Sequence, residues 1–336
     1  MSLDISTFSD RQLAGQRLMV GFEGQTLNDD LKYLIGSLKI GSVILFAINL
    51  ASPDQITRLC SDIQAFARST DSPPLFIAID QEGGQVARLK EPFTRFAGNA
   101  AMKTTTDAEN FGRITASELK QIGVNMDMAP VVDVAPDDLD SIMAQRSFGS
   151  DPHWVAKMGG IVIDQLQTQK VMAVAKHFPG IGRTTLDSHL DMPTLSASEA
   201  QLDACDLIPF EAAARRKVAG MMLSHIYYDR IDPKWPASLS PRIAHDMLRV
   251  KLGYEGVVMT DDLDMGAIRK HFDTQTAIGQ VLAADIDLAL ICHKGPDIET
   301  AYAEILRQIK SAPDMKKRTI ASVERIMRLK REYLEE

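Results

Sequence analysis

The stretch from Lys176 to His189 carries the highest concentration of potentially reactive side chains in the sequence. Lys176 and His177 follow an apolar run, proline and glycine residues typical of a loop come next, and Asp187 and His189 close the stretch. In an extended segment, residues two apart face the same way, so the Asp187 carboxylate can orient the His189 imidazole and stabilise its protonated form. Such a pair can transfer protons. Taken alone, an Asp-x-His pair is more often a surface hydrogen bond, and the local sequence favours that simpler interpretation.

Two adjacent carboxylates, Asp261 and Asp262, follow a second apolar run. Neighbouring side chains of an extended chain point in different directions, so one carboxylate can enter a site while the other caps the helix expected near residues 263–266. A carboxylate that enters such a site can serve as a nucleophile, a base or a metal ligand. Capping of a helix by both aspartates is an equally good interpretation of the local sequence.

A third polar segment begins at Asp80, continues through a glycine pair and reaches Arg88. A carboxylate and a guanidinium together suit several hydrogen bonds to hydroxyl groups or to a carboxylate. The segment lacks the Lys-Ser/Thr ending of a phosphate loop, and no stretch has the three glycines of a dinucleotide fingerprint. Arg146 stands alone in a loop, where a structural salt bridge is the simpler explanation.

The remaining histidines carry less information. His225 follows an apolar run, which raises its chance of lining a site only slightly. The others have no evident partner in the sequence and are interpreted as structural or solvated: His153, His245, His271 and His293.

Eight short apolar runs precede or contain these polar groups and alternate with helical patterns. Most are continuous rather than alternating, as in parallel strands that are covered on both faces. The runs are residues 18–22, 42–46, 75–79, 125–132, 172–175, 220–223, 256–260 and 287–291. Eight strand–helix units in a chain of this length predict a single-domain (β/α)₈ barrel, although a doubly wound open sheet shows the same alternation. A barrel places the residues that follow its strands together at one face.

Helix signals lie between several of the runs. Ser52, followed by Pro53, predicts a helix start, and Ser196, with Glu199 three residues later, predicts another. Apolar residues recur at helical spacing near the C-terminus and predict a closing helix over about 316–334 that packs on the barrel. No linker divides the chain, so we expect one domain over residues 1–336.

Composition excludes several classes of protein. The 336 residues have a net charge of −8 and no basic block, which argues against a nucleic-acid partner. No run approaches the length of uncharged apolar residues that a membrane helix needs, and the N-terminus lacks the pattern of a secretory signal. The three cysteines are scattered without metal spacing. These features predict a cytoplasmic protein with no membrane partner; they leave the oligomeric state open.

Together the polar segments resemble those of the single-domain bacterial β-N-acetylglucosaminidases of glycoside hydrolase family 3. The similarity spans residues 14–326, and its most specific segments are 79–84, 146–149, 176–180, 187–189 and 260–263. The resemblance implies a retaining enzyme that removes terminal β-linked N-acetylglucosamine from carbohydrate, in particular from muropeptide fragments during peptidoglycan recycling. It implies no metal and no organic cofactor.

The resemblance also implies roles for eight positions. Asp261 is expected to be the nucleophile, His189 the general acid/base and Asp187 its partner. Five further residues are expected to bind the sugar in the −1 subsite: Asp80, Arg88, Arg146, Lys176 and His177.

Two positions depart from the family pattern. Ile181 stands where a histidine is usual between the loop glycines, and Ile48 stands where an arginine is usual after the second strand. Neither position belongs to the nucleophile or the acid/base pair, so we expect activity to survive. The departures bear on loop closure and on recognition beyond the −1 sugar.

Three alternatives remain compatible with the sequence. The enzyme could transfer the sugar to phosphate instead of water, or act on another β-glycoside. A metal-dependent barrel hydrolase could use His177, Asp187, His189 and Asp261 as ligands, although their spacing matches no common metal motif. A sugar-binding protein without catalysis is the third, and the retained nucleophile and dyad argue against it.

Overall fold

The computed structural model describes residues 4–186, 188 and 191–335. Within this part of the chain, eight parallel strands close into a barrel in the order β1-β10-β9-β8-β7-β6-β3-β2, and β4 and β5 form a separate hairpin. The strands are β1 (Leu18–Val20), β2 (Ser42–Leu45), β3 (Phe76–Ile79), β4 (Gln81–Gly83), β5 (Val86–Ala87), β6 (Met126–Asp127), β7 (Met172–Phe178), β8 (Gly220–Leu223), β9 (Val257–Asp262) and β10 (Leu288–Ile291). The predicted barrel is confirmed, and the open sheet is excluded because β1 pairs with both β2 and β10.

Helices follow the strands and cover the outside of the barrel. Those described as α-helices are α1 (Asp10–Gly15), α2 (Asp29–Gly36), α3 (Pro53–Ser69), α4 (Thr105–Gln121), α5 (Pro152–Thr168), α6 (Glu199–Gln201), α7 (Leu207–Arg215), α8 (Gly266–Arg269), α9 (Thr274–Ala283), α10 (Asp297–Ser311) and α11 (Pro313–Leu334). Two π-helical segments span Leu202–Asp206 and Arg242–Lys251. No helix within the described ranges is long and apolar enough to cross a membrane.

The helix-start signals have mixed outcomes. Ser52 caps α3 as predicted, because its hydroxyl accepts a hydrogen bond from the backbone N–H of Gln55. The prediction at Ser196 is wrong. The capping residue is Ser198, whose hydroxyl accepts from the backbone N–H of Gln201. Both serines precede a potential capping-box partner by three residues, and the local sequence does not separate them.

The strands are buried because both of their faces are covered. Every residue of the eight barrel strands is buried except Asp261 and Asp262, at the carboxyl end of β9, which are partly exposed. Side chains inside the barrel pack on one another, and those outside pack on the helices, so continuous apolar runs are the expected sequence of each strand. Polar residues appear where each strand reaches the carboxyl-terminal rim of the barrel, and the candidate site lies at this rim.

Charged groups seal the opposite, N-terminal end of the barrel. The Asp287 carboxylate accepts hydrogen bonds from Arg249 Nη2 at 2.5 Å and from Arg325 Nε at 2.9 Å. Helix α11 contributes Lys330, which is fully buried and donates to Gln16 Oε1 at 2.7 Å and to a backbone carbonyl. Helix α11 thus packs against the barrel through a polar as well as an apolar face.

Candidate active site

A cavity of about 360 Å³ opens at the carboxyl ends of the barrel strands. Its size lies within the range of about 300–1,000 Å³ that is usual for small-molecule sites. Six of the eight predicted site residues line it: Asp80, Arg88, Arg146, Lys176, His177 and Asp261. The other two, Asp187 and His189, lie outside the described residues. The structure therefore brings together residues that are as far apart in sequence as Asp80 and Asp261.

A larger cavity of about 1080 Å³ lies at the N-terminal end of the barrel, between α11 and the N-terminal segment. Two of its lining arginines, Arg249 and Arg325, are already paired with the buried carboxylate of Asp287. Polar groups at this end of a (β/α)₈ barrel usually serve stability, whereas active sites occupy the carboxyl end. The smaller cavity is therefore the candidate active site.

Lys176 lies at the centre of the charged groups in the site. Its ammonium is 2.9 Å from Asp80 Oδ1 and 2.7 Å from Glu82 Oε1, and its side chain is only 3% exposed. Burial opposes the charge on Lys176, but the two carboxylates outweigh it and raise the pKa of the amine. Burial likewise opposes the charge on Asp80, yet Lys176 and Arg88 hold the pKa of that carboxyl well below its usual range. Lys176 therefore stays protonated and Asp80 ionised at neutral pH.

Two arginines complete this cluster from separate loops. Arg88 follows β5, and its Nη2 donates to Asp80 Oδ2 at 3.0 Å. Arg146 lies in the loop after β6 and makes a two-point pair with Glu82, with its Nε at 2.9 Å and its Nη2 at 2.7 Å from the two carboxylate oxygens. The structural salt bridge that the sequence suggested for Arg146 therefore exists, and it lies inside the cavity.

His177 is held by the buried carboxylate of Asp133, which is not among the residues singled out in the sequence. Its Nδ1 is 2.8 Å from Asp133 Oδ2, and its backbone N–H also faces the same carboxylate. A carboxylate only accepts, so we assign the ring proton to Nδ1. Asp133 Oδ1 further accepts from the backbone N–H of Ile181 at 2.8 Å. One buried carboxylate thus orients both His177 and the first part of the loop that departs from the family pattern.

Asp261 occupies the carboxyl end of β9, facing the cavity. Burial tends to raise the pKa of its carboxyl, but the positive potential of His225 and His177, together with the backbone N–H of Asp262, lowers it. His225 reaches this position from the end of β8. Its two ring nitrogens are 2.7 Å from Ser238 Oγ and 2.8 Å from the backbone carbonyl of Asp262. An ionised carboxylate at the mouth of a barrel can act as a nucleophile toward an electrophilic carbon.

Asp262 differs from its sequence-based interpretation. Its Oδ1 accepts from the backbone N–H groups of Asp264 and Cys292, each at 3.0 Å, so it joins the end of β9 to the end of β10. Helix α8 is preceded by Met265 and has no side-chain cap. The prediction that Asp262 caps a helix is therefore wrong. Its carboxylate also lines the cavity. Burial raises the pKa of Asp262 to about 6.

One group of side chains in the described part of the chain has the spacing of metal ligands. We call Asp262, Asp264 and His293 the carboxylate–histidine cluster. His293 Nδ1 is 3.6 Å from Asp262 Oδ2 and 3.5 Å from Asp264 Oδ2. The interpretation of His293 as a histidine without a partner is wrong. The same holds for His271, whose Nε2 is 3.0 Å from Asp191 Oδ1, and for His245, whose Nδ1 is 2.8 Å from Asp246 Oδ1. All three side chains are exposed, as the solvated interpretation expects. None of the three cluster residues belongs to the ligand set suggested by the sequence.

Two functional residues that sequence reasoning missed had a detectable signal. Glu82 lies two positions after Asp80, so an extended chain turns both carboxylates to the same side. Asp133 follows directly on the apolar residues Val131 and Val132, as expected of a residue at a strand end. His225 carries the same signal, since it stands just after an apolar run. In each case the partner is remote in sequence, and therefore the pairing itself had no local signature.

A closed (β/α)₈ barrel with a charged cavity at the carboxyl ends of its strands has the architecture of the barrel enzymes. Residues 11–329 match the family model described as "Glycosyl hydrolase family 3 N terminal domain". The chain therefore belongs to glycosyl hydrolase family 3 and is a glycoside hydrolase.

Relatives of known name agree with this membership. A beta-hexosaminidase of Alkalilimnicola ehrlichii is 35% identical over 285 residues, which cover 82% of this chain and 80% of the relative. A beta-hexosaminidase of Methylococcus capsulatus is 31% identical, with 90% of each chain covered.

Solved structures show the same fold. A family 3 beta-N-acetylglucosaminidase from Paenibacillus superposes with a TM-score of 0.94 at 35% identity; the match covers 97% of this chain and 63% of that longer protein. The beta-N-acetylhexosaminidase of Beutenbergia cavernae superposes with a TM-score of 0.88 at 27% identity and is covered over 98% of its length.

Proposed function

We propose that the protein is a retaining exo-β-N-acetylglucosaminidase that uses Asp261 as its nucleophile. The observation that carries the proposal is the Asp261 carboxylate, which faces the cavity at the end of β9 with a lowered pKa. Relatives named beta-hexosaminidase, which match more than four-fifths of the chain, support the choice of substrate.

The proposed first step forms a bond between Asp261 and the anomeric carbon of the sugar as the glycosidic bond breaks. The departing oxygen takes a proton from the general acid, and a glycosyl ester of Asp261 remains. In the second step, water attacks the same carbon, gives its proton to the base and releases the carboxylate. The transition states carry positive charge on the sugar ring, which an ionised carboxylate stabilises.

We propose His189 as the acid/base and Asp187 as its partner. This assignment rests on the family resemblance, because both residues lie outside the described part of the chain. An unperturbed imidazole titrates near pH ~6.5, and a neighbouring carboxylate raises that pKa toward neutrality. The group can therefore be charged when it acts as an acid and neutral when it acts as a base.

The sugar hydroxyls would be bound by the charged groups around Lys176. Asp80 and Glu82 offer acceptors, whereas Lys176, Arg88 and Arg146 offer donors, all carried by loops or strand ends of the barrel. Their mutual pairing holds them in place before substrate arrives, which lowers the cost of ordering them on binding. His177, oriented by Asp133, supplies one further group.

The decisive assay is a panel of 4-nitrophenyl β-glycosides measured with and without phosphate. The N-acetylglucosaminide should be cleaved fastest, with retained configuration and free sugar as the product in both buffers. Asp261→Ala should abolish turnover. In the wild-type protein, a fluorinated sugar with an activated 4-nitrophenyl leaving group should label Asp261 covalently. Sugar 1-phosphate as the main product would replace the hydrolase with a phosphorylase. Wild-type rates in the Asp261→Ala variant would refute the assignment.

The finer predictions from the resemblance belong to the same proposal. They are action on muropeptide fragments in peptidoglycan recycling, a cytoplasmic location, a single catalytic domain over residues 1–336, and catalysis without a metal. A comparison of muropeptides with chito-oligosaccharides as substrates tests the first of them.

A further inference from the structure

The residues that flank the proposed acid/base are attached to the segment that follows the proposed nucleophile. Ser188 precedes His189, and Asp191 follows it by two positions. The backbone carbonyl of Ser188 accepts a hydrogen bond from the N–H of Ala267 at 3.1 Å. The Asp191 carboxylate lies 3.0 Å from His271 Nε2 and 3.4 Å from Lys270 Nζ.

The segment that receives these contacts is firmly joined to the barrel. Ala267 and Ile268 of α8 are buried. Arg269, also in α8, pairs with Asp264 at 3.1 Å and with Asp297, the first residue of α10, at 3.0 Å. Because α8 begins only five residues after Asp261, its position is coupled to that of the nucleophile.

Farther along the chain, residues 193–195 form backbone hydrogen bonds with the segment that follows β8. The N–H of Leu195 donates to the carbonyl of Tyr227 at 2.7 Å, and the N–H of Tyr227 donates to the carbonyl of Pro193 at 3.0 Å. Tyr227 follows β8, the neighbour of the nucleophile strand. Between these backbone contacts and Ser188, the Asp191 carboxylate makes charged contacts to the segment that follows Asp261.

We propose that Asp191 is a positioning residue that, through His271 and Lys270, holds the chain on the C-terminal side of His189 (residues 191–195) against the segment after Asp261. This inference rests on the function proposed above. Its proposed role is to fix the stretch of chain that carries the proposed acid/base relative to Asp261. The hydrogen bond from His271 lowers the pKa of Asp191 to about 2, so the carboxylate remains ionised at the pH at which the enzyme would work.

A residue that positions a general acid has a kinetic signature that a substrate-binding residue lacks. The value of kcat/KM reports the steps through cleavage of the glycosidic bond. A 2,4-dinitrophenyl group departs without a proton, whereas the sugar alcohol of N,N′-diacetylchitobiose needs one. Loss of the contact should therefore slow cleavage of chitobiose and leave cleavage of the dinitrophenyl glycoside unchanged.

The test compares both substrates in Asp191→Asn and His271→Gln. An exposed ion pair is weak, so we expect kcat/KM for chitobiose to fall by about two- to fivefold in each variant. Because His271→Gln affects only one of the two contacts that Asp191→Asn affects, the double variant should be no slower than Asp191→Asn alone. Asp164→Asn is the matched control, since Asp164 is exposed to a similar degree and pairs with Arg216 on the outside of the barrel. The control should leave both rates unchanged.

Each outcome decides the proposal. An equal fall for both substrates, or no fall for either, overturns the positioning role while leaving the glycosidase assignment intact. A fall for chitobiose alone, with unchanged thermal midpoints of unfolding, supports it. If the wild-type protein cleaves neither substrate, the proposed function fails first and the positioning role fails with it.

Discussion

Replacement of Lys176 by methionine tests the central charged cluster of the site. The substitution keeps the length and the apolar stem of the side chain and removes its charge. Lys176 Nζ lies 2.9 Å from Asp80 Oδ1 and 2.7 Å from Glu82 Oε1, with its side chain 3% exposed. The variant therefore loses two charge-assisted hydrogen bonds and leaves two poorly solvated carboxylates with one cation fewer.

The expected loss of stability follows from the partners that remain. Breaking a buried ion pair costs about 3–5 kcal/mol when the surviving charge is uncompensated. Here Asp80 keeps Arg88, and Glu82 keeps its two-point pair with Arg146. We therefore expect the lower end of that range, about 3 kcal/mol. An unfolding entropy of about 0.7 kcal/mol/K, expected for a chain of 336 residues, converts this loss into a fall of about 4 °C in Tm.

Lys251→Met is a matched control for this substitution. Lys251 Nζ also contacts two carboxylates, Glu199 and Asp203, each at 2.6 Å, but its side chain is 33% exposed. Solvent screens these pairs, so the control should lose less than about 1 kcal/mol. Differential scanning calorimetry of the two variants measures the contrast in Tm. Equal shifts in both variants would refute the argument that burial sets the strength of the cluster.

The same pair of variants separates stability from function. If Lys176 hydrogen-bonds a sugar hydroxyl, its loss should lower kcat/KM on 4-nitrophenyl β-N-acetylglucosaminide about 10- to 100-fold, the value of one charge-assisted hydrogen bond. Lys251→Met should leave kcat/KM unchanged. A Lys176→Met variant that is less stable but fully active would show that the cluster is structural and does not bind the sugar.

Three further predictions concern other groups. His225→Gln removes the positive potential that helps to lower the pKa of Asp261, so the acidic limb of the kcat/KM profile should move to higher pH; an unmoved limb contradicts this. Lys330 is buried against two neutral oxygens, and burial lowers its pKa well below 10.5. Between the lowered pKa and 10.5 the unfolded state binds more protons than the folded state, so the free energy of unfolding should rise with pH in that window. Urea denaturation from neutral to mildly alkaline pH measures this rise. Lys330→Met should flatten it. Finally, dialysis against EDTA should leave hydrolysis unchanged, because lysine and arginine already neutralise the carboxylates around the sugar site; loss of activity that Zn²⁺ restores would instead implicate the carboxylate–histidine cluster.

The sequence also allowed wrong or incomplete interpretations at particular residues. Asp262 was expected to enter the site or to cap a helix; in the structure it lines the cavity while its other oxygen ties β9 to β10. His271 and His293 have no partner within a few residues in the sequence, yet both face carboxylates in the structure. Ile181 departs from the family pattern, but its backbone N–H still bonds to Asp133, so its loop begins from an ordered position.

The sequence by itself determined where the strands and helices of this protein lie and at which ends of the strands the polar residues stand. Runs of apolar residues specify strands covered on both faces, and polarity returns where each strand leaves the core, because burial is a local requirement that each segment meets with its own side chains. Only the tertiary structure decided which of these polar residues pair. Lys176 meets Asp80, 96 positions away, because closure and register of the barrel place β3 and β7 on either side of the short strand β6. Such pairing depends on through-space distances of a few ångströms, and no pattern within one segment encodes those distances.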